Sequence, residues 1–439
     1  DDLTATEDPR FKRSRGGMIK CLDEASGELL WQLVVPKRTT GLPKDIHFSQ
    51  QHLGVCSSPT VDEGRAYIVS SAGDVLCLDV DGQADGNDGP YTDEARYMVP
   101  HDKPPVELGQ RDGDILWRYD PMDEIGVNVH DAASCSILIH GDLLYLSTSN
   151  GVDGPHAKVL APEAPAIIVL EKQTGRLAAR ENEGISGRLY HCQWSSPSLA
   201  EVGGKTLVFF GGGDGVCYAF EALEEVPESP VDLKLAWSYD GNPHEYKYRD
   251  GKLIPYYEGD KRKSYSTNEN DGKYVGPSQI IATPVFHAGR VYVPIGQDPA
   301  HGRGRGLLHC IDATKTGDIT QSGRIWAYDE LERSMATVAV ADGLVYAADV
   351  AGKLHCLDAD TGQRYWVHDT GAETWGGALW ADGKLYFGTK RQFFILAAGR
   401  ELEVLKELRL GSPAYNTPIA ANGVLYVTSQ RYLWAVEKQ

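Results

Sequence analysis

Residues 353–366 read Lys353-Leu-His-Cys-Leu-Asp-Ala-Asp-Thr-Gly-Gln-Arg-Tyr-Trp366, and their pattern decides the fold. A short strand from Leu354 to Leu357 meets a turn from Asp358 to Gly362, and a second strand ends on an indole. Alternating apolar and polar residues line opposite faces of a strand. Asp and Thr supply side-chain acceptors to the turn and Gly tolerates a positive φ, so the stretch is a β-hairpin. One hairpin alone is marginally stable, and its meaning comes from its copies.

The fullest copy has four strands. Strand A is Cys56 to Val61, strand B Arg65 to Ser70, strand C Asp74 to Asp79 and strand D Asp114 to Tyr119. The A-B-C order returns over Ser134 to Gln173, Ser195 to Ala222, Ala282 to Ala313, Ala336 to Ala359, Gly377 to Ala398 and Asn416 to Lys438. Further D strands follow at Leu177, Leu235, Arg324, Arg364 and Val404. Small twisted sheets with two apolar faces cover them only by stacking on neighbours. The expected fold is therefore an all-β propeller of four-stranded antiparallel blades, a single domain over residues 1–439. Met18 to Asp23 and Glu28 to Trp31 form one more C-D pair without A and B. Counted as its own incomplete blade, with its first strands upstream of the given chain, it makes eight. Seven is the alternative, with Glu28 to Trp31 closing the last blade. That arrangement leaves Met18 to Asp23 without a place, so the sequence favours eight.

The eight cysteines include no CxxC, and Cys21, Cys77, Cys217, Cys310 and Cys356 share one place in the repeat, so they read as packing residues. A formal charge of -19 with no basic stripe argues against nucleic acid. No apolar run approaches the ~20 residues of a transmembrane helix.

Asp23-x3-Gly27-x3-Trp31 and Asp358-x3-Gly362-x3-Trp366 resemble the tryptophan-docking repeat of the pyrroloquinoline-quinone (PQQ)-like propellers. That group includes quinoprotein alcohol dehydrogenases and an outer-membrane assembly lipoprotein. Gly16-Gly-Met-Ile-Lys-Cys-Leu-Asp23 and Gly211-Gly-Gly-Asp-Gly-Val-Cys-Tyr-Ala-Phe220 make the layout most similar to planctomycete-type members. The resemblance implies that each Trp packs between neighbouring blades, and it implies a periplasmic or secreted protein. Ala179 and Lys406 replace Trp in two blades.

In a propeller the D-to-A and B-to-C loops share one face. Here they are long, at residues 32–55, 118–133, 151–165, 180–193, 238–280 and 296–306, whereas 80–113 alone lies on the opposite face. Long loops on one face mark a binding surface. His130, Asp131, Arg188, His191, Gln193, Trp194, Gln297, Asp298, His301, Arg333 and Trp375 are the candidate ligand-binding residues. Imidazoles, carboxylates, guanidinium groups and indoles suit a carboxylate, a sugar or a planar cofactor. His130, His191 and His301 also offer a metal site, since imidazole is the commonest metal ligand. Asp79, Asp81, Asp85 and Asp88 on Gly-rich turns suit calcium, although Ala84 stands where an EF-hand has its glycine. His309 and His355, within C strands, read as satisfied sheet residues.

With no P-loop, nucleotide fingerprint or Ser-His-Asp motif, the leading expectation is a binding or scaffold module for a small molecule, glycan or protein. The alternative that the resemblance implies is a PQQ-dependent alcohol or sugar dehydrogenase, with Trp375 stacking and Asp131 as base. The adjacent cysteine pair of many such enzymes is missing, and no motif matches their calcium ligands. A metal-assisted polysaccharide-active enzyme using the loop histidines and Tyr190 is the third possibility.

Overall fold

The structure is a computed structural model that describes residues 8–11, 16–38, 54–154, 158–249, 252–253, 257–258, 261–262, 277–297 and 304–437. The chain divides into two compact units, Asp1–Pro197 with Ala222–Lys234 and Tyr257–Arg262, and Ser198–Glu221 with Leu235–Tyr256 and Lys263–Gln439. The first unit holds blade I (Thr60–Asp62, Arg65–Val69, Val75–Asp79, Ile115–Tyr119) and blade II (Leu138–His140, Leu143–Ser147, Ile167–Glu171, Leu177–Arg180). The second holds blade III (Ser198–Val202, Lys205–Gly211, Val216–Glu221, Leu235–Asp240) and blade IV (Val285–His287, Arg290–Ile295, Leu307–Asp312, Arg324–Tyr328). Blade V follows (Ala339–Ala341, Leu344–Ala348, Lys353–Asp358, Arg364–Asp369), then blade VI (Leu379–Ala381, Lys384–Gly388, Phe393–Ala397, Val404–Leu408). Blade VII has three strands, Ile419–Ala421, Val424–Thr428 and Leu433–Glu437. No described helix is long and apolar enough to cross a membrane.

The fold is thus an all-β propeller whose A, B, C and D strands pair antiparallel; blades II and III each add a short fifth strand in parallel beside strand D, at Val231–Asp232 and Gly317–Asp318. The blades number seven among the described residues. This corrects the favoured count of eight. The pair at Gly17–Leu22 and Leu29–Val35 is a two-stranded sheet, too small to be a blade. Its Ile19, Trp31 and Leu33 instead pack with Ala66, Ile68, Leu76 and Leu78 of blade I, extending that blade's core. Beyond its own hairpin it adds a bridge from Gln32 to Asp112.

The hairpin at 353–366 forms as its pattern requires, and Trp366 ends in register with Cys356 and Tyr346. The same row of strand-B aromatic, strand-C small residue and strand-D indole recurs as Tyr67-Cys77-Trp117 and Tyr292-Cys310-Trp326. In blade III the row is Phe209-Ala219-Trp237, so Cys217 lies two residues away from the shared cysteine position expected for it. In all four rows the ring centroids are 5.8–6.1 Å apart. Burial pushes the thiols of Cys77, Cys310 and Cys356 up to about 12, which makes them inert packing groups.

The strand-D indoles then reach the next blade, and Trp31 of the N-terminal hairpin reaches blade I in the same way. Trp31 donates to the Val80 carbonyl at 2.7 Å, Trp117 to Lys172 at 3.1 Å and Trp237 to Ala313 at 3.2 Å. Trp326 donates to Ala359 at 3.1 Å and Trp366 to Gly399 at 2.9 Å. All five acceptors lie just past a strand C, so blades I, III, IV and V each supply one donor that locks the next blade, and Trp31 of the N-terminal hairpin does the same to blade I. The residue two beyond the indole makes a second contact. Tyr239 meets His309 Nδ1 at 3.0 Å and Tyr328 meets His355 Nδ1 at 3.0 Å, while His368 sits edge-on to Phe394 at 4.9 Å. The other nitrogen of His309 faces the Gly241 carbonyl, and that of His355 faces Asp349. Both histidines are sheet residues with both ring nitrogens engaged.

The turn glycine of the motif has two separate reasons. Gly362 has φ of 73°, and a Cβ there would stand 2.7 Å from the Trp326 ring. A left-handed conformation costs an L-residue about 1–2 kcal/mol, and overpacking adds a comparable amount. Gly362→Ala is therefore expected to destabilise the protein by about 2–4 kcal/mol, read as a lower urea midpoint. A midpoint within error of the parent would remove the docking role assigned to this turn.

Candidate functional site

Three loops of the first unit knit together beside blades I and II. The first follows strand D of blade I: the Asp120 carboxylate caps helix Pro121–Ile125 by accepting from the Met122 and Asp123 amides, and Gly126 ends the helix at φ 69°. The chain then extends through Val129, which bridges Asn150 of the blade II B-to-C loop. Gly151 of that loop bridges Cys192 of the third loop, which follows strand D of blade II. Gly151 donates to the Asn128 carbonyl, Val152 to His191 and Gln193 to Asn150. The buried Asn128 and Asn150 side chains add further bonds to this backbone. A Cβ at Gly151 would lie 2.5 Å from that of His130, so glycine is needed for the loops to approach.

This weave brings His130, Asp131 and His191 together. Both imidazoles are buried, and their Nε2 atoms are 2.9 Å apart. At that distance one nitrogen carries the hydrogen and the other presents its lone pair. Asp131 has φ of 57°, and its carboxylate lies 3.5 Å from His130 Nε2 and 3.9 Å from His191 Nε2. Trp194 stands edge-on to His191 with centroids 4.9 Å apart, and its indole donates to the Ala132 carbonyl at 3.0 Å. Two imidazoles and a carboxylate converging on one point can share a proton or hold a metal ion.

The other candidates are placed differently. Arg188 turns back on its own loop, donating to the Glu183 and Gly184 carbonyls. Gln193 is buried and holds the weave through its main chain, accepting from Ser147 Oγ at its carbonyl. In the second unit, Gln297 donates to the Pro277 carbonyl at 3.2 Å and Arg333 is fully buried. Trp375 stacks on Tyr415 at 4.4 Å and donates to Glu373, so one face of the ring proposed for cofactor stacking is covered by the protein itself. Asp298 and His301 lie outside the described residues.

Of the four aspartates suited to calcium, Asp79 and Asp88 converge, and the partner they meet is Asp114. Asp81 and Asp85 flank the turn Gly82–Ala84 and do not join them. Asp114 opens strand D, beyond the long insertion, so sequence proximity to the acidic turn gave no sign of it. Its carboxylate accepts from the Asp88 amide and from Gln83. Burial pushes it up to about 6 despite the Asp88 bond.

Comparisons with known proteins place the chain. The family model described as outer membrane protein assembly factor BamB matches residues 7–182, 257–368 and 305–439. No curated protein matches by sequence. Among solved structures, BamB from Moraxella catarrhalis is 13% identical, with 94% of this chain and 86% of that one covered at a TM-score of 0.53. The computationally designed Ika8 protein is 11% identical, covering 96% and 91% at 0.50. A quinohemoprotein alcohol dehydrogenase from Comamonas testosteroni is 13% identical, covering 94% and 60% at 0.43. These identities speak to fold, and the last likeness is too distant to support an argument about chemistry.

Proposed function

Since the chain belongs to the family of the outer membrane protein assembly factor BamB, we propose that it is a protein-binding scaffold which assists assembly of outer-membrane proteins from the periplasmic side. The family match over most of the chain carries this reading. The loops support it. Long D-to-A and B-to-C segments on a locked blade framework are suited to presenting a shaped surface. Arg188, Gln297 and Trp375 are committed to contacts within their own chain, as befits a rigid recognition surface more than a substrate pocket.

The test is deletion of the gene in its host, followed by quantification of folded outer-membrane β-barrel proteins. A loss of several-fold, restored by the intact gene, is expected. An unchanged outer-membrane protein profile would overturn the reading.

A further inference from the structure

We infer that His130, Asp131 and His191 form a site for one divalent transition-metal ion of the zinc class. This goes beyond the scaffold reading and does not depend on it.

The donor set makes the first argument. Two imidazoles and a carboxylate suit zinc and its neighbours in the series, whereas calcium and magnesium favour all-oxygen shells. Geometry makes the second. Imidazole nitrogens at ~2.0–2.1 Å from a tetrahedral ion stand about 3.3 Å apart. The Nε2 atoms here are 2.9 Å apart, with carboxylate oxygens at 3.5 and 3.9 Å, so slight parting of the rings admits an ion among all three groups. The ring that donates its Nε2 hydrogen needs only to carry it on Nδ1 instead, leaving both Nε2 lone pairs for the metal. Cys192, the nearby thiol, points elsewhere, towards the Ser149 carbonyl at 3.1 Å and the His130 carbonyl at 3.7 Å.

The support behind the ligands is the third argument. His130 is held against Gly151, His191 against the edge of Trp194, and Asp131 is set by its left-handed backbone. Fixing ligands from behind is what an affinity-determining outer shell does. Three protein donors leave one tetrahedral position open, on the side where Asp131 is partly exposed. Water or an anionic oxygen donor would fill it. The ion would also clamp the loop after blade I to the loop after blade II.

Protein stripped with EDTA should bind one equivalent of Zn2+ by calorimetry, with a rise in melting temperature that chelator reverses. Co2+ should give visible absorption of a tetrahedral site, and Ca2+ and Mg2+ should not compete. His130→Gln and His191→Gln should each weaken zinc binding by ~100-fold or more, and Asp131→Asn by ~10-fold. Asn tolerates the same left-handed backbone, so the aspartate variant is read on a folded protein even where a histidine variant is not. Absence of stoichiometric zinc binding by the stripped protein would overturn the site. So would unchanged affinity in Asp131→Asn or in the double histidine variant.

Discussion

Trp237→Ala is expected to destabilise the second unit by about 3–5 kcal/mol, the range for truncating a fully buried large aromatic. The indole is 0% exposed, lies 5.8 Å from the Phe209 ring and donates to the Ala313 carbonyl of the next blade. Truncation empties a large volume in the core and leaves that carbonyl without its donor. The two losses can be separated. Trp237→Phe keeps much of the ring packing while removing the bond and part of the indole volume, so it should cost the smaller sum of about 1 kcal/mol for the bond and a partial cavity. Urea unfolding followed by far-UV circular dichroism reads both variants. An alanine effect no larger than that of phenylalanine would show that packing between these blades is not what the indole supplies.

Much of this lock is legible in sequence because it is local. Asp358, Gly362 and Trp366 sit within one hairpin, and the physical demand on each is met by the hairpin itself or by the equivalent hairpin of a neighbouring blade. What sequence leaves open are relations between segments with no spacing rule. The pair at Gly17–Val35 has the spacing of a blade edge, yet its strand partners decide whether it is a blade, and among the described residues only these two strands pair. Cys217 resembles its counterparts by neighbouring residues, but the strand register puts Ala219 in their place. His130 and His191 were individually visible as loop histidines ahead of A strands. Their meeting through Nε2 depends on Gly151 and the loop weave. Asp114 was hidden for the converse reason: it looks like the polar start of a strand, and only pairing across the long insertion puts it against Asp79 and Asp88. Asp81 and Asp85, closer in sequence, follow the turn outward instead.

His309 in the second unit and Asp114 in the first should couple folding to acid with opposite signs, and His309 carries the larger expected effect. Burial pushes this imidazole from 6.5 down to about 4, the bond to Gly241 opposing and the charge of Arg324 assisting. With Nε2–H donated to the Gly241 carbonyl and Nδ1 accepting from Tyr239, the neutral ring satisfies every neighbour. The folded state therefore resists the proton that the unfolded chain takes up near 6.5. Its contribution is complete above that pH and is lost as pH falls towards 4, a change of about 3 kcal/mol. His309→Gln should flatten this loss, so the stability gap between parent and variant should narrow or invert from pH 7 to pH 4.5. Asp114 works the other way. Its raised proton affinity disfavours the ionised carboxylate in the folded state, so the parent loses stability as pH climbs from 3.8 through about 6. Asp114→Asn should be relatively most stabilising at pH 7 and near neutral at pH 4. Hydrogen exchange resolves the two units. After division by the intrinsic exchange rate at each pH, acidification should lower the protection of strand Leu307–Asp312 in the parent and not in His309→Gln, while strand Ile115–Tyr119 becomes better protected relative to Asp114→Asn. Parallel pH profiles for parent and His309→Gln would mean that the buried imidazole is not the group that couples the second unit to acid.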